Sequence, residues 1–207
     1  RRAPILRCIG RPRRDAPWRT RGRTGMSRTF RKSLQDVVAA RHCADHPMTE
    51  KWAAGELGRH CMMGWAAQQW HWVSKMNPVA FYICKDAPDD VIAAEIDNVR
   101  EENDPSRSHL DIMLRFAKAN GGNPEKIKKE QGLPTTRSWV SFLTDTARDN
   151  PWYCGMAAIR VGTESQSPRL YSKVLPALRE AYKFKEPDIE HFWLHSEVDV
   201  EHGGRAF

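Results

Sequence analysis

Three observations predict an all-α fold, a helical bundle of about seven to nine helices. Apolar residues recur at helical spacing through most of the chain after Met26. Pro, Gly and Ser punctuate those stretches at short intervals, where helices start and stop. No stretch alternates apolar and polar residues for long enough to make a strand.

The elements follow in order. Phe30, Leu34, Val37 and Val38 predict an amphipathic helix over Ser27–Ala44, broken at His46-Pro47 because a residue before proline resists the α region. A short helix is expected over Thr49–Ala54, then a long one from Gly58 to about Lys75, dense in Met and Trp. Pro78 opens a segment to Cys84, and Val91, Ile92, Ile96 and Val99 give one apolar side to a helix from Pro88 to Asn103. Ser108 can cap a helix through Asn120 that Gly121-Gly122 stops. Further helices are expected over Pro124–Gln131, Thr136–Thr146, Trp152–Gln166, Ser167–Tyr182 and from Pro187 through His202.

The chain has 207 residues, 40% of them hydrophobic, a mean hydropathy of −0.67 and a net charge of +7. That charge points to nucleic acid only until its position is noted. Residues 1–25 hold nine arginines against Asp15, a local charge of +8, and the remainder sums to −1. Residues 1–25 are therefore expected to be a disordered tail that cannot bury enough surface to order itself. Three origins stay open for it: sequence upstream of a start at Met26, a transit peptide, or an arm for an anionic partner. Residues 26–207 form the expected domain. No nucleic-acid partner and no membrane span are expected of it, because no run reaches the roughly 20 apolar residues a span needs. Five cysteines without a C-x-x-C pair argue against a disulfide framework and against a cysteine zinc site, and for a reducing, cytoplasmic setting.

The last helix carries His195-x3-Asp199-x2-His202. Positions i, i+4 and i+7 share one helix face, so three metal-ligating side chains project together. Glu102 precedes His109 by seven residues, and Glu164 closes an otherwise apolar segment. Taken singly, each of these is an ordinary surface residue. Together, three imidazoles and three carboxylates without thiolate suit iron, manganese or zinc, and carboxylate-bridged metal pairs are how helical bundles hold di-iron centres. Two minor clusters have plainer readings. His42-x3-His46 is expected to be a helix terminus, and Cys154 a buried inert thiol.

Trp52-Ala-Ala-Gly-Glu-Leu57 and Gly64-Trp-Ala-Ala-Gln-Gln-Trp-His-Trp-Val73 resemble PqqC and TenA-type proteins of the heme-oxygenase-like fold. Asn98-Val-Arg-Glu-Glu102 with His109, Glu164-Ser-Gln-Ser-Pro168, and the His195 motif resemble that superfamily's di-iron oxidases and oxygenases, the CADD-like branch. The resemblance covers about residues 30–203 and implies Glu102, His109, Glu164, His195, Asp199 and His202 as ligands of two iron ions, with manganese as the alternative and O2 as co-substrate. It implies an oxidoreductase acting on a small metabolite derived from an amino acid, a fatty acid or an aromatic compound. Trp65, Gln68, Gln69 and His71 are expected to line the pocket, and a homodimer is left open. The 4-aminobenzoate-forming members of the branch carry a tyrosine where Thr49 stands here. The family's final helix continues past the His-x3-Asp-x2-His motif, whereas only five residues follow His202 here, so a shortened last helix is expected. The rival readings are a metal-free PqqC-like oxidase, a TenA-type thiaminase, and a binding protein on the same fold.

Overall fold

The all-helical expectation holds across the described residues, 28–196, of the computed structural model, among which there is no strand. The arginine-rich tail, Asp199, His202 and the expected shortening of the last helix lie outside them.

The first helix, α1 (Arg28–Ala39), ends earlier than expected and buries none of its residues, leaving Phe30 and Val37 exposed. The chain then uses its two histidines as caps. His42 Nδ1 accepts from the Ala44 amide at 3.1 Å to open a 3₁₀ turn, Cys43–Asp45. His46 Nδ1 accepts from the Met48 amide at 3.1 Å to open α2 (Pro47–Ala53), with Pro47 in the first turn, where its missing N–H costs nothing. Gly55 (φ +77°) closes α2, with the Glu56 amide donating back to Lys51.

The bundle continues with α3 (Arg59–Val73), α4 (Met76–Cys84), α5 (Asp89–Glu102), α6 (His109–Ala119), α7 (Pro124–Lys129) and α8 (Pro134–Asp149). Gly121 (φ +88°) ends α6 as expected, with the Gly122 amide donating to Ala117. The single helix expected over residues 152–166 is instead three pieces. They are α9 (Trp152–Met156), a π turn over Ala157–Val161, and a 3₁₀ turn over Glu164–Gln166. The Gly162 amide donates to the Ala157 carbonyl five residues back, the bond that defines a π turn. Then come α10 (Ser167–Glu180), which tolerates Pro176 in its interior, and α11, from residue 190 to the last described residue, 196.

Helix α3 packs along α6, α10 along α2, and α4 against α5, α8 and α9. Two apolar cores result. One gathers Trp52, Met62, Phe116, Leu178 and Phe192, and the other Trp72, Val79, Ile83, Leu143 and Ile159. Most of these side chains are wholly buried, and burial of each contributes about 1.5–3 kcal/mol. Helix α3 feeds both cores, because Trp65 joins the first and Trp72 the second.

Glu190 ties α11 down. It accepts from Arg107 Nε at 2.6 Å and from Arg115 Nη1 at 2.7 Å. Arg115 sits on α6 and Arg107 just before it, so this fork sets the C-terminal helix beside the helix that begins with His109.

Candidate metal centre

The space between the two cores holds a small cavity of about 40 Å³, with Trp72 and Met76 from one core and Tyr171 from the other in its wall. Into it converge Glu102 from the last turn of α5, His109 from the first turn of α6, and His195 from α11. One ligand atom from each lies within 4.8 Å of the other two. Glu102 Oε2 and His109 Nδ1 are 2.9 Å apart, with side chains only 12% and 4% exposed. The His109 and His195 rings meet edge to face at 4.8 Å.

Each of these groups has a reason to sit there. Six residues separate α5 from α6, and Asp104 organises that loop by accepting from the Ser106 amide and hydroxyl, turning the chain so that His109 returns to Glu102. His195 Nδ1 donates to the carbonyl of His191 at 2.8 Å. That bond fixes the tautomer and leaves Nε2 as the lone-pair donor, the arrangement a metal-ligating imidazole requires.

The electrostatics fit a cation. Burial alone would raise the Glu102 carboxyl. The hydrogen bond from His109, with the charges of His109, His195 and Arg160, outweighs burial and holds it below the usual carboxylate range. One carboxylate and two imidazoles, buried and without thiolate, are a donor set suited to iron, manganese or zinc.

Glu164 lines the same cavity, but a guanidinium holds it. Arg160 Nη1 donates to Glu164 Oε1, while Arg160 Nε and Nη2 fork onto both oxygens of Glu95 at 3.0 and 2.7 Å. All three residues are buried, with Glu95 at 3%, Arg160 at 4% and Glu164 at 8% exposure. Burial works against the Arg160 charge, yet Glu164 and Glu95 overcome it and hold the guanidinium firmly protonated.

Of the four expected pocket residues, Gln69 lines the cavity. Trp65 packs in the first core, 5.1 Å from Trp52 and 5.6 Å from Phe192 between ring centroids. Gln68 instead accepts from the Leu133 amide at 2.8 Å, pinning the loop before α8. His71 faces a separate surface hollow with Lys75 and Arg137. Cys154 is half-buried on α9 and outside the cavity wall.

Polar residues in and beside the cavity were not anticipated. Besides Arg160 and Glu95 there are His191 and Tyr171, whose Nε2 and hydroxyl are 3.0 Å apart. Burial, then the charges of His195 and His109, push the His191 imidazole well below its ordinary value, so it is neutral. Its Nδ1 is buried without a hydrogen-bond partner among the described residues. The signal for His191 was present, since it lies four residues before His195 on the same stripe.

The chain is 26% identical to a 4-aminobenzoate synthase of Nitrosomonas europaea, over 84% of this chain and 75% of the relative. It is equally 26% identical, with the same coverage, to a 4-aminobenzoate synthase of Chlamydia trachomatis. In structure it resembles a TenA homolog of Pseudomonas syringae, with a TM-score of 0.74 at 15% identity, covering 84% of this chain and 75% of that one. It also resembles a heme-oxygenase-like domain of unknown function from Shewanella denitrificans, with a TM-score of 0.66 at 15% identity, covering 86% and 75%. These likenesses establish the heme-oxygenase-like fold. A model of iron-containing redox enzymes matches residues 63–207, the stretch that holds every residue converging on the cavity. With its helical architecture and buried carboxylate–imidazole cluster, the chain therefore belongs to the family of iron-containing redox enzymes of heme-oxygenase-like fold.

Proposed function

We propose that this oxidoreductase is an O2-activating non-haem di-iron oxidase or oxygenase acting on a small metabolite. The observation that carries the reading is the convergence of Glu102, His109 and His195 from three separate helices, with His195 already in its metal-binding tautomer. Glu164 supplies a further carboxylate from the cavity wall. Asp199 and His202, outside the described residues, are the two further ligands we assign, from their four- and seven-residue spacing after His195 in the sequence. Iron held there supplies electrons and an open coordination position for O2.

The chain's own residues do the rest. Three carboxylates offset most of the charge of two divalent ions. The His191 carbonyl orients His195, and Trp72 and Met76 wall the cavity and limit water. We assign the substrate to a separate small molecule rather than to a tyrosine of the chain. Thr49, where 4-aminobenzoate-forming relatives carry tyrosine, is 2% exposed and donates its hydroxyl to the Cys43 carbonyl at 2.8 Å. The cytoplasm is the setting we infer from the cysteine pattern, and no described helix is long and apolar enough to cross a membrane.

Anaerobic titration with Fe(II) tests the reading. The full chain should take up two ions per molecule, and O2 added with substrate should produce a transient visible absorption band. His195→Ala and Glu164→Ala should each lower the uptake. A protein that binds no iron, or whose uptake neither substitution changes, overturns the reading, and a Soret band would replace it with a haem protein.

A further inference from the structure

The buried Glu95–Arg160–Glu164 chain lies beside the cavity but is not part of the converging cluster. Helix α5 contributes Glu95 two turns before Glu102, on the same face. The π turn contributes Arg160, and widening the helix there sets three consecutive residues, Ile159, Arg160 and Val161, all in the interior. Arg160 gives Glu95 a two-bond fork and Glu164 a single bond, so it is anchored on Glu95 and reaches across to Glu164. Glu95 does not line the metal cavity, whereas Glu164 does.

We propose that Arg160 is an internal counter-cation that Glu164 exchanges for metal, and that Glu95 sets how easily the exchange occurs by holding the guanidinium from the far side. The proposal rests on the di-iron reading above. A buried carboxylate needs a positive partner, and without metal Arg160 is that partner. A metal ion offers Glu164 a stronger one. Arg160 can yield it without being stranded as a lone buried charge, because Glu95 keeps both of its bonds. The pair Glu95–Arg160 is then close to neutral, so it does not repel the incoming dication. Arg160 is thus a positioning residue, acting on the metal through Glu164.

The relationship is directional, and this makes it testable. Glu95→Gln removes the anchor charge, so the guanidinium bears wholly on Glu164, competes harder for it, and adds a net positive charge beside the site. The affinity for the second iron should fall about tenfold, the scale of coupling between neighbouring charged groups. The double variant Glu95→Gln/Arg160→Gln removes the competitor with the anchor, and affinity should return toward that of the wild type.

Anaerobic equilibrium dialysis of Fe(II) against the full chain reads both effects, with circular dichroism confirming that each variant is folded. Should the double variant not fold, the Glu164→Gln background serves instead, where adding Glu95→Gln should lower iron affinity by much less than it does in the wild type, because only the added charge acts and no competition for Glu164 remains. A merely structural Glu95 would make the double variant as weak as Glu95→Gln or weaker, and that result overturns the proposal. Two irons bound by the wild type with unchanged affinity in Glu95→Gln overturns it alone. No iron bound by the wild type removes the di-iron reading and this proposal with it.

Discussion

Glu102 Oε2 sits 2.9 Å from His109 Nδ1, so the last turn of α5 and the first turn of α6 are joined at the metal cavity itself. In metal-free protein this contact satisfies two buried groups that would each otherwise be costly. Removing one partner should therefore cost stability as well as metal. His109→Ala leaves a buried carboxylate uncompensated and should destabilise the metal-free protein by about 3 kcal/mol in urea denaturation. The same variant should gain less from added Fe(II) than the wild type, which excess metal stabilises by about 2.7 kcal/mol at one hundred times Kd. Equal metal stabilisation of both proteins would count against His109 as a ligand.

A second prediction concerns the fork that seats α11. Burial raises the Glu190 carboxyl, but Arg107 and Arg115 outweigh it and hold the group below its ordinary value of 4.5. A depressed carboxylate contributes stability that is fully present above the unfolded-state value and is lost as pH falls through the folded-state value. Glu190→Gln should therefore cost about 1–2 kcal/mol near neutrality, with the difference from the wild type fading below about pH 4.5. Denaturation midpoints of the two proteins across that range check the sign. A difference that grows as pH falls would contradict it.

Packing of α9 rests on an absent side chain. A Cβ added to Gly155 would lie 2.8 Å from Ile83 Cγ1 and 3.1 Å from the Ala147 Cβ, both in the second core. Gly155→Ala should destabilise by about 1–3 kcal/mol, as overpacking in a close-packed core does. Because α9 leads into the π turn that carries Arg160, the variant should also weaken iron binding, which dialysis would show. Wild-type thermal stability in this variant would mean that α4 and α8 have room the structure does not show.

The helices were legible in the chain because their starts and stops carry local chemistry. Gly121 ends α6, Pro47 breaks the chain before α2 (which begins at Pro47 itself and not at Thr49), and His42 and His46 serve as caps rather than as a metal pair. His195 was legible as a candidate from the four- and seven-residue spacing to Asp199 and His202, whereas Glu102 and His109 rested on the family resemblance, since a loop between two helices and not a shared helix face brings them together. The π turn was not, since nothing in Ala157–Val161 marks a register shift that depends on one amide choosing a carbonyl five residues away. Arg160's partnership with Glu95 spans 65 residues and has no local signature. The α3 side chains were misjudged for a related reason. That helix feeds two cores, so its apolar residues do not define one face, and the pattern could not say that Gln69 turns to the cavity while Gln68 and His71 turn away.

A pair of irons in one buried site has a distinct spectroscopic signature. Mössbauer spectroscopy of the full chain, loaded anaerobically with ⁵⁷Fe(II) and then exposed to O2, tests it most directly. Two irons per chain should become antiferromagnetically coupled and diamagnetic. One magnetically isolated ferric ion per chain, or none retained, would contradict it.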